Sequence, residues 1–179
     1  MTDHHRMVAL LRAINVGGNN LLPMATLRAI AERLGSTDVA TYVQSGNLVL
    51  TDPRRPDEVG TLLRDAIADE VGLHLAIITR SAGDWARIIA DNPFPGAASD
   101  GSRLHVAFLP GAVEQRVREF DASSFAPEAV HTAEREIYLH LPDGIGRSKL
   151  AAAIVGGKTA VGTVRNWNTV LRIEQLLGA

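Results

Sequence analysis

The sequence contains no cysteine, which excludes disulfides, iron–sulfur clusters and thiolate catalysis. Aromatics are scarce as well, at 4% of the chain. A protein that reads RNA through a sheet needs exposed aromatics on its strands and a basic face. Here only Tyr42, Phe108 and Tyr138 fall on expected strands, and the net charge is −2. Nucleic acid is therefore not an expected partner, and any anion site must be local. Long apolar runs are missing. Met7–Ile14 is too short for the core of a secretory leader, and Arg12 interrupts it. No run approaches the roughly 20 residues that span a bilayer. No membrane is expected, and a soluble cytoplasmic protein is the default expectation. Metal-ligand spacing of the His-x-x-x-His kind is absent too: His74, His105, His131 and His140 all fall on strands. Neither a metal nor a cofactor is expected. Ser45 and Ser148 lack a local histidine, so a Ser/His/Asp triad has no support.

What the chain does have is a core. Hydrophobic residues make up 46% and charged residues 21%, the balance of a globular protein, and a chain of this size buries roughly 70% of its unfolded surface. Met7–Ile14 is apolar on both alternating faces apart from Arg12, which predicts a strand buried in mid-sheet. Pro23 fits a first helical position, Met24, Leu27, Ile30, Ala31 and Leu34 recur at helical spacing, and Gly35 stops them. Val39–Gln44 and Leu48–Thr51 read as strands around a Gly46-Asn47 turn. A helix runs from Pro56 to Gly72, with Asp57 and Glu58 placed well against its dipole, and Leu73–Thr79 is a further strand.

Ser81 with Asp84 forms a capping pair for a connecting helix, and residues 92–101 are the best linker candidate. The pattern then restarts. Leu104–Leu109, Ala129–Thr132, Ile137–Leu141 and Thr159–Val164 read as strands. Short helices are expected around Val113–Phe120 and Ser148–Val155, and a last helix is capped by Asn166. The order β-α-β-β-α-β thus occurs twice. It predicts an α+β fold of two tandem ferredoxin-like halves with an extra C-terminal helix. The expected boundaries are residues 1–80, a connecting helix and linker at 81–102, and residues 103–179. No residue-level repeat is visible between the halves.

In such a unit the third strand runs back between the first two, so the end of strand one and the turn between strands two and three share a sheet edge. Two polar islands meet there: Arg12, Asn15, Gly17, Gly18 and Asn19 from one loop, and Gln44, Ser45 and Asn47 from the other. The glycine loop reads either as a backbone cradle for an oxyanion or as a connection needing positive φ. Gln44–Asn47 reads equally as a shared polar wall or a plain hairpin turn. Arg12 should pair with a carboxylate or reach the sheet edge, because an unpaired charge inside a strand is costly. In the second half, Arg147, Ser148 and Lys149 open one helix, and Arg165, Asn166 and Asn168 open the last. Their two N-termini are expected to converge on an anion site. The plainer reading makes Ser148 and Asn166 ordinary N-caps and Trp167 a core residue. Ala152–Thr159 imitates the end of a P-loop, but a helix precedes Gly157-Lys158 where a strand is required, so it is rejected.

Four ordered segments carry a family resemblance: Ala9–Gly18, Thr41–Asn47, Gly146–Leu150 and Arg165–Val170. Together they closely resemble a bacterial family known as domain of unknown function 1697. The resemblance implies two ferredoxin-like halves and no established activity, so it brings no catalytic residues. Ala13 stands where the family usually shows glycine, and Asn19 where many relatives carry lysine. The leading expectation is recognition of a small anionic ligand, a nucleotide or phosphorylated metabolite, at loops between the halves. Arg147, Lys149 and Arg165 would neutralise it while Asn15, Gln44, Asn47, Asn166 and Asn168 orient it. A non-enzymatic interaction module is the alternative, an RNA-binding protein ranks below it, and the oligomeric state is not readable.

Overall fold

β1 (His5–Leu11) is buried on both faces, with Met7 to Leu11 wholly inaccessible. A strand with two apolar faces belongs in mid-sheet, and β1 lies between β3 (Asn47–Asp52) and β4 (Ile77–Ser81), antiparallel to both. β2 (Thr37–Tyr42) completes the order β2-β3-β1-β4. The computed structural model describes residues 4–156 and 162–178. On one face of this sheet pack α1 (Met24–Arg33) and α2 (Pro56–Val71). Leu27, Ile30, Leu63 and Ile67 meet Met7, Ala9, Leu11, Leu48 and Leu50 there. Each fully buried aliphatic side chain contributes about 1.5–3 kcal/mol. α3 (Ala82–Ala90) follows β4 through a reciprocal cap: the Asp84 amide donates to Ser81 Oγ at 3.1 Å, and Ser81 Oγ donates to the Asp84 carboxylate at 2.6 Å.

The second sheet has the order β6-β7-β5-β8, again all antiparallel. Its strands are β5 (Leu104–Phe108), β6 (Ala129–Thr132), β7 (Glu136–His140) and β8 (Thr163–Asn166). α4 (Gln115–Arg118) and α5 (Lys149–Ile154) join the strands, and α6 (Trp167–Leu177) closes the described chain. One face of this sheet carries Ala107, Ile137, Leu139 and Leu141 against Leu150, Ala151 and Ile154. The fold is thus a mixed α/β architecture of two four-stranded antiparallel sheets and six helices among the described residues. None of those helices is long and apolar enough to cross a membrane.

The units repeat in a detail hidden from the sequence. Val8 pairs with Arg80 in the first sheet and Val106 pairs with Arg165 in the second, each pair away from the helices of its own core. Both arginines are buried, and each donates from Nη1 to the preceding carbonyl, Thr79 O at 2.8 Å and Val164 O at 2.9 Å. Each is followed by a capped helix.

Several expected boundaries shift. β1 ends at Leu11, so Arg12 and Ile14 lie beyond it. Residues 73–76 are not strand; β4 begins at Ile77. The last strand begins at Thr163, and residues 159–161, like Gly157-Lys158-Thr159 of the rejected P-loop, lie outside the described residues. The chain divides into two compact units, one running to Arg87 and resuming at Arg172, the other Ile88–Leu171. Where boundaries at 80 and 103 were expected, both α3 and α6 straddle the division. The return has a visible tie: Arg6 Nη2 donates to Leu176 O at 2.7 Å, and its Nη1 to Asp38 O at 2.8 Å.

A buried network fastens the first unit. Asp52 accepts from the Arg54 amide at 2.9 Å, from Arg54 Nε at 2.7 Å and Nη2 at 2.8 Å, and from Ser36 Oγ at 2.7 Å. Arg54 Nη2 also reaches Leu34 O at 2.7 Å, tying the end of α1 to the start of α2. Burial opposes the Asp52 charge, but these bonds outweigh it and hold the carboxyl down at about 2.

Candidate functional site

In the first unit the two polar islands do meet. Asn15 Nδ2 donates to Gln44 O at 2.8 Å and to Leu22 O at 3.0 Å, while Asn15 Oδ1 accepts from the Leu22 amide at 2.9 Å. One carboxamide therefore closes its own loop and clips it to the neighbouring turn. Within the loop, the Asn15 amide donates to Asn20 O, the Asn19 amide to Val16 O, and Asn20 Nδ2 to Ala13 O. Gly17 and Gly18, at φ +59° and +78°, are the two central residues of the Val16–Asn19 turn, the pattern of a type I′ hairpin. That geometry accounts for the glycine pair without any ligand. Their amides are exposed and donate no hydrogen bond among the described residues.

The opposing turn is equally constrained. Gly46 sits at φ +75° and offers its carbonyl to the Leu11 amide at 2.8 Å. A Cβ there would lie 2.7 Å from Leu11 Cβ and 2.8 Å from Ile14 Cδ1. Asn47 is buried and donates to Tyr42 O and to Ser45 Oγ, both at 3.0 Å. Two further residues here take positive φ without being glycine or asparagine, Ala13 at 55° and Val43 at 50°, beside Asn15 at 54° and Asn20 at 50°. Left-handed backbone costs an L side chain roughly 1–2 kcal/mol, and a β-branched residue such as Val43 is a true outlier.

At this edge Arg12 escapes full burial without finding a counter-charge among the described residues. It is half-buried beyond the end of β1; its amide donates to Ala76 O at 3.0 Å, and its guanidinium makes no hydrogen bond or ion pair among the described residues. Of the two expectations, reaching the sheet edge describes it and a carboxylate partner does not. Gln44 and Asn19 are exposed, with side chains that make no hydrogen bond among the described residues. Arg12, Gln44, Asn19 and the glycine amides are thus the groups open to a ligand, whereas Asn15, Ser45 and Asn47 are engaged in building the frame.

The second unit separates what the sequence reading joined. Ser148 is an N-cap, its Oγ accepting from the Ala151 amide at 2.8 Å, and the Leu150 amide donates to a Glu128 carboxylate oxygen at 3.2 Å. The start of α5 therefore already holds an anion of the chain itself. Arg147 and Lys149 are exposed and line an open cleft of about 510 Å³ together with Glu128 and Asp143. Arg165 does not join them. Its register with Val106 puts it on the sheet face opposite α5, buried, donating to Thr163 Oγ1 at 2.7 Å and Val164 O. Burial lowers its pKa to about 10. Asn166 caps α6 by accepting from the Thr169 amide at 2.9 Å. Asn168 packs on Gly101, where a Cβ would collide with Asn168 Oδ1. The expected convergence of Arg147, Lys149 and Arg165 is corrected on this point.

Sequence reasoning missed Glu128, which no local motif links to α5, and it missed the exposed apolar residues Val16, Leu21 and Val43 around the first loop. His105, weighed in the sequence only as a metal ligand, stands out for another reason. This side chain is buried on β5 with Nδ1 lacking a hydrogen bond. Burial lowers its pKa, against the opposing effect of the Arg103 carbonyl. Phe108 and Tyr138 are buried, the Tyr138 hydroxyl donating to Ile88 O at 2.7 Å, so neither offers a stacking surface. Trp167 is buried as well. No group of three or more His, Asp or Glu among the described residues is arranged to hold a metal.

The family described as Protein of unknown function (DUF1697) matches residues 4–138, and the chain belongs to that family. The matched stretch takes in both loops of the first unit but not Arg147, Lys149 or Arg165. The conserved bacterial protein SP0830 from Streptococcus pneumoniae has a similar structure: TM-score 0.71 at 21% identity, covering 98% of this chain and 99% of that one. At that identity the likeness concerns the fold alone. No curated protein matches the chain.

Proposed function

We propose that this is a cytoplasmic protein that binds a small anionic ligand at the loop edge of its first unit. Each unit is read as a ferredoxin-like half, which its element order and its strand order support. The observation that carries the functional reading is Arg12: a half-buried guanidinium with no counter-charge among the described residues, at the mouth of two interlocked loops. Arginine presents paired donors that match a carboxylate or phosphate, and a ligand anion would supply the missing acceptor. Gln44 and Asn19 would add neutral hydrogen bonds, and the Gly17 and Gly18 amides would face the same anion. Because the Asn15 clip already fixes the loops, little ordering entropy opposes binding. No nucleophile paired with a base accompanies these groups, so the reading is one of recognition and includes no reaction.

The test is an NMR titration of the labelled protein with inorganic phosphate, acetate and a nucleoside monophosphate. Shifts should concentrate at Arg12, Gly17–Asn20 and Gln44. Arg12→Ala should weaken the best anion at least tenfold, and Lys149→Ala should leave it unchanged. Loss in Lys149→Ala with retention in Arg12→Ala would move the site to the second unit. A protein that shifts with none of these anions would sink the reading.

A further inference from the structure

The chain has four exposed large hydrophobic residues among those described: Val16 at 64%, Leu21 at 65%, Val43 at 51% and Ile145 at 39%. Scattered singly, such residues need no explanation. Three of these four are not scattered. The Asn15 carboxamide bonds to Leu22 and Gln44, and Val16, Leu21 and Val43 are the chain neighbours of Asn15, Leu22 and Gln44 respectively. One hydrogen-bonded clip therefore brings three exposed aliphatic residues to one loop edge.

Val43 makes the point sharper. It occupies φ +50°, where asparagine or glycine would be cheaper, and half of its surface meets water. It is not among the hydrophobic residues packed on the core of the first unit, so what it offers at the turn is apolar surface. Charge narrows what that can be. Across residues 12–24 and 41–47, Arg12 is the one charged residue, and the Arg28 guanidinium that comes from α1 to Thr41 is engaged there, donating to Thr41 Oγ1 at 2.6 Å. A single guanidinium bordered by aliphatic groups matches one anionic head on an apolar body; a polyphosphate would leave most of its charge unmatched.

Resting on the anion-binding reading above, we infer that the ligand is an organic monoanion, a carboxylate with an aliphatic or aromatic body. Its head meets Arg12 and the free amides of the glycine turn, and its body lies across Val16, Leu21 and Val43. The rigid, clipped loops give the apolar groups a fixed spacing, so the surface selects for body size as well as charge.

The experiment uses the intact chain and four probes: hexanoate, phenylacetate, acetate and inorganic phosphate. Hexanoate and phenylacetate should bind at least tenfold tighter than acetate or phosphate, because each methylene removed from water favours the complex. The double variant Leu21→Ser/Val43→Asn should bring hexanoate down to the acetate level without lowering the thermal midpoint, since both residues are exposed. Arg12→Ala should weaken all four. If acetate or phosphate binds as tightly as hexanoate, the amphipathic inference fails while the anion site stands. If nothing binds, both fail. If hexanoate binding survives Arg12→Ala, the assigned head contact is wrong. If light scattering shows self-association that the double variant abolishes, the patch is a contact between copies of this chain and the inference is overturned.

Discussion

The Asp52 network offers the strongest quantitative test of the structure. Its carboxylate is fully buried and accepts from Ser36, from the Arg54 amide and from the Arg54 guanidinium, which itself reaches Leu34 O. The carboxyl is held at about 2 instead of the ordinary 3.8. At about 1.4 kcal/mol for each pH unit, that difference is worth about 2.5 kcal/mol to the folded state. The sign follows from the direction: with the folded value below the unfolded one, the contribution is complete above about pH 5 and is lost as pH falls toward 2. Asp52→Asn keeps the shape and removes the charge. Urea unfolding followed by circular dichroism should show it less stable than the parent by about 2–3 kcal/mol at pH 7. The gap should close between pH 5 and 2, because the parent surrenders the same energy there. A gap that stays constant across that range would mean that packing, and not the paired charge, set the loss. A gap below about 0.5 kcal/mol at pH 7 would refute the network as a fastening of α1 to α2.

Two further outcomes are expected. His105 is buried with an unbonded Nδ1 and a lowered pKa, so the unfolded chain takes up its proton first, and stability should fall as pH drops below about 6.5. His105→Leu should flatten that part of the stability curve, and an unchanged slope would remove His105 as its source. Gly46→Ala must accommodate a Cβ 2.7 Å from Leu11 Cβ at φ +75°, which should cost about 2–4 kcal/mol. A urea midpoint within error of the parent would show that the turn is not held against the end of β1.

Much of the fold was legible in the sequence because its punctuation is local. Pro56 and Gly72 bracket α2, the Ser81–Asp84 pair caps α3, and Ser148 and Asn166 cap their helices by bonds the residue types announce. The meeting of Asn15 with Gln44 followed from strand order alone. What stayed hidden depends on register and on distant partners. Arg165 was placed in a cap because the last strand was expected to end at Val164. In the structure the strand continues to Asn166, and alternation sends Arg165 to the face away from α5. Glu128 comes to the Leu150 amide from 22 residues away. Positive φ at Ala13 and Val43 leaves no mark in residue type, since neither favours it.

The bond from Arg6 to the Leu176 carbonyl spans 170 positions of the chain. It makes the first unit discontinuous: its sheet is complete by Ser81, but the turn of α6 that Arg6 holds is translated after the second unit. On a ribosome the second unit, Ile88–Leu171, emerges whole before the first can close. The order of synthesis therefore differs from the order in which the units can be finished, and a chain stopped short of Leu176 would leave the Arg6 guanidinium without the carbonyl that it now bonds.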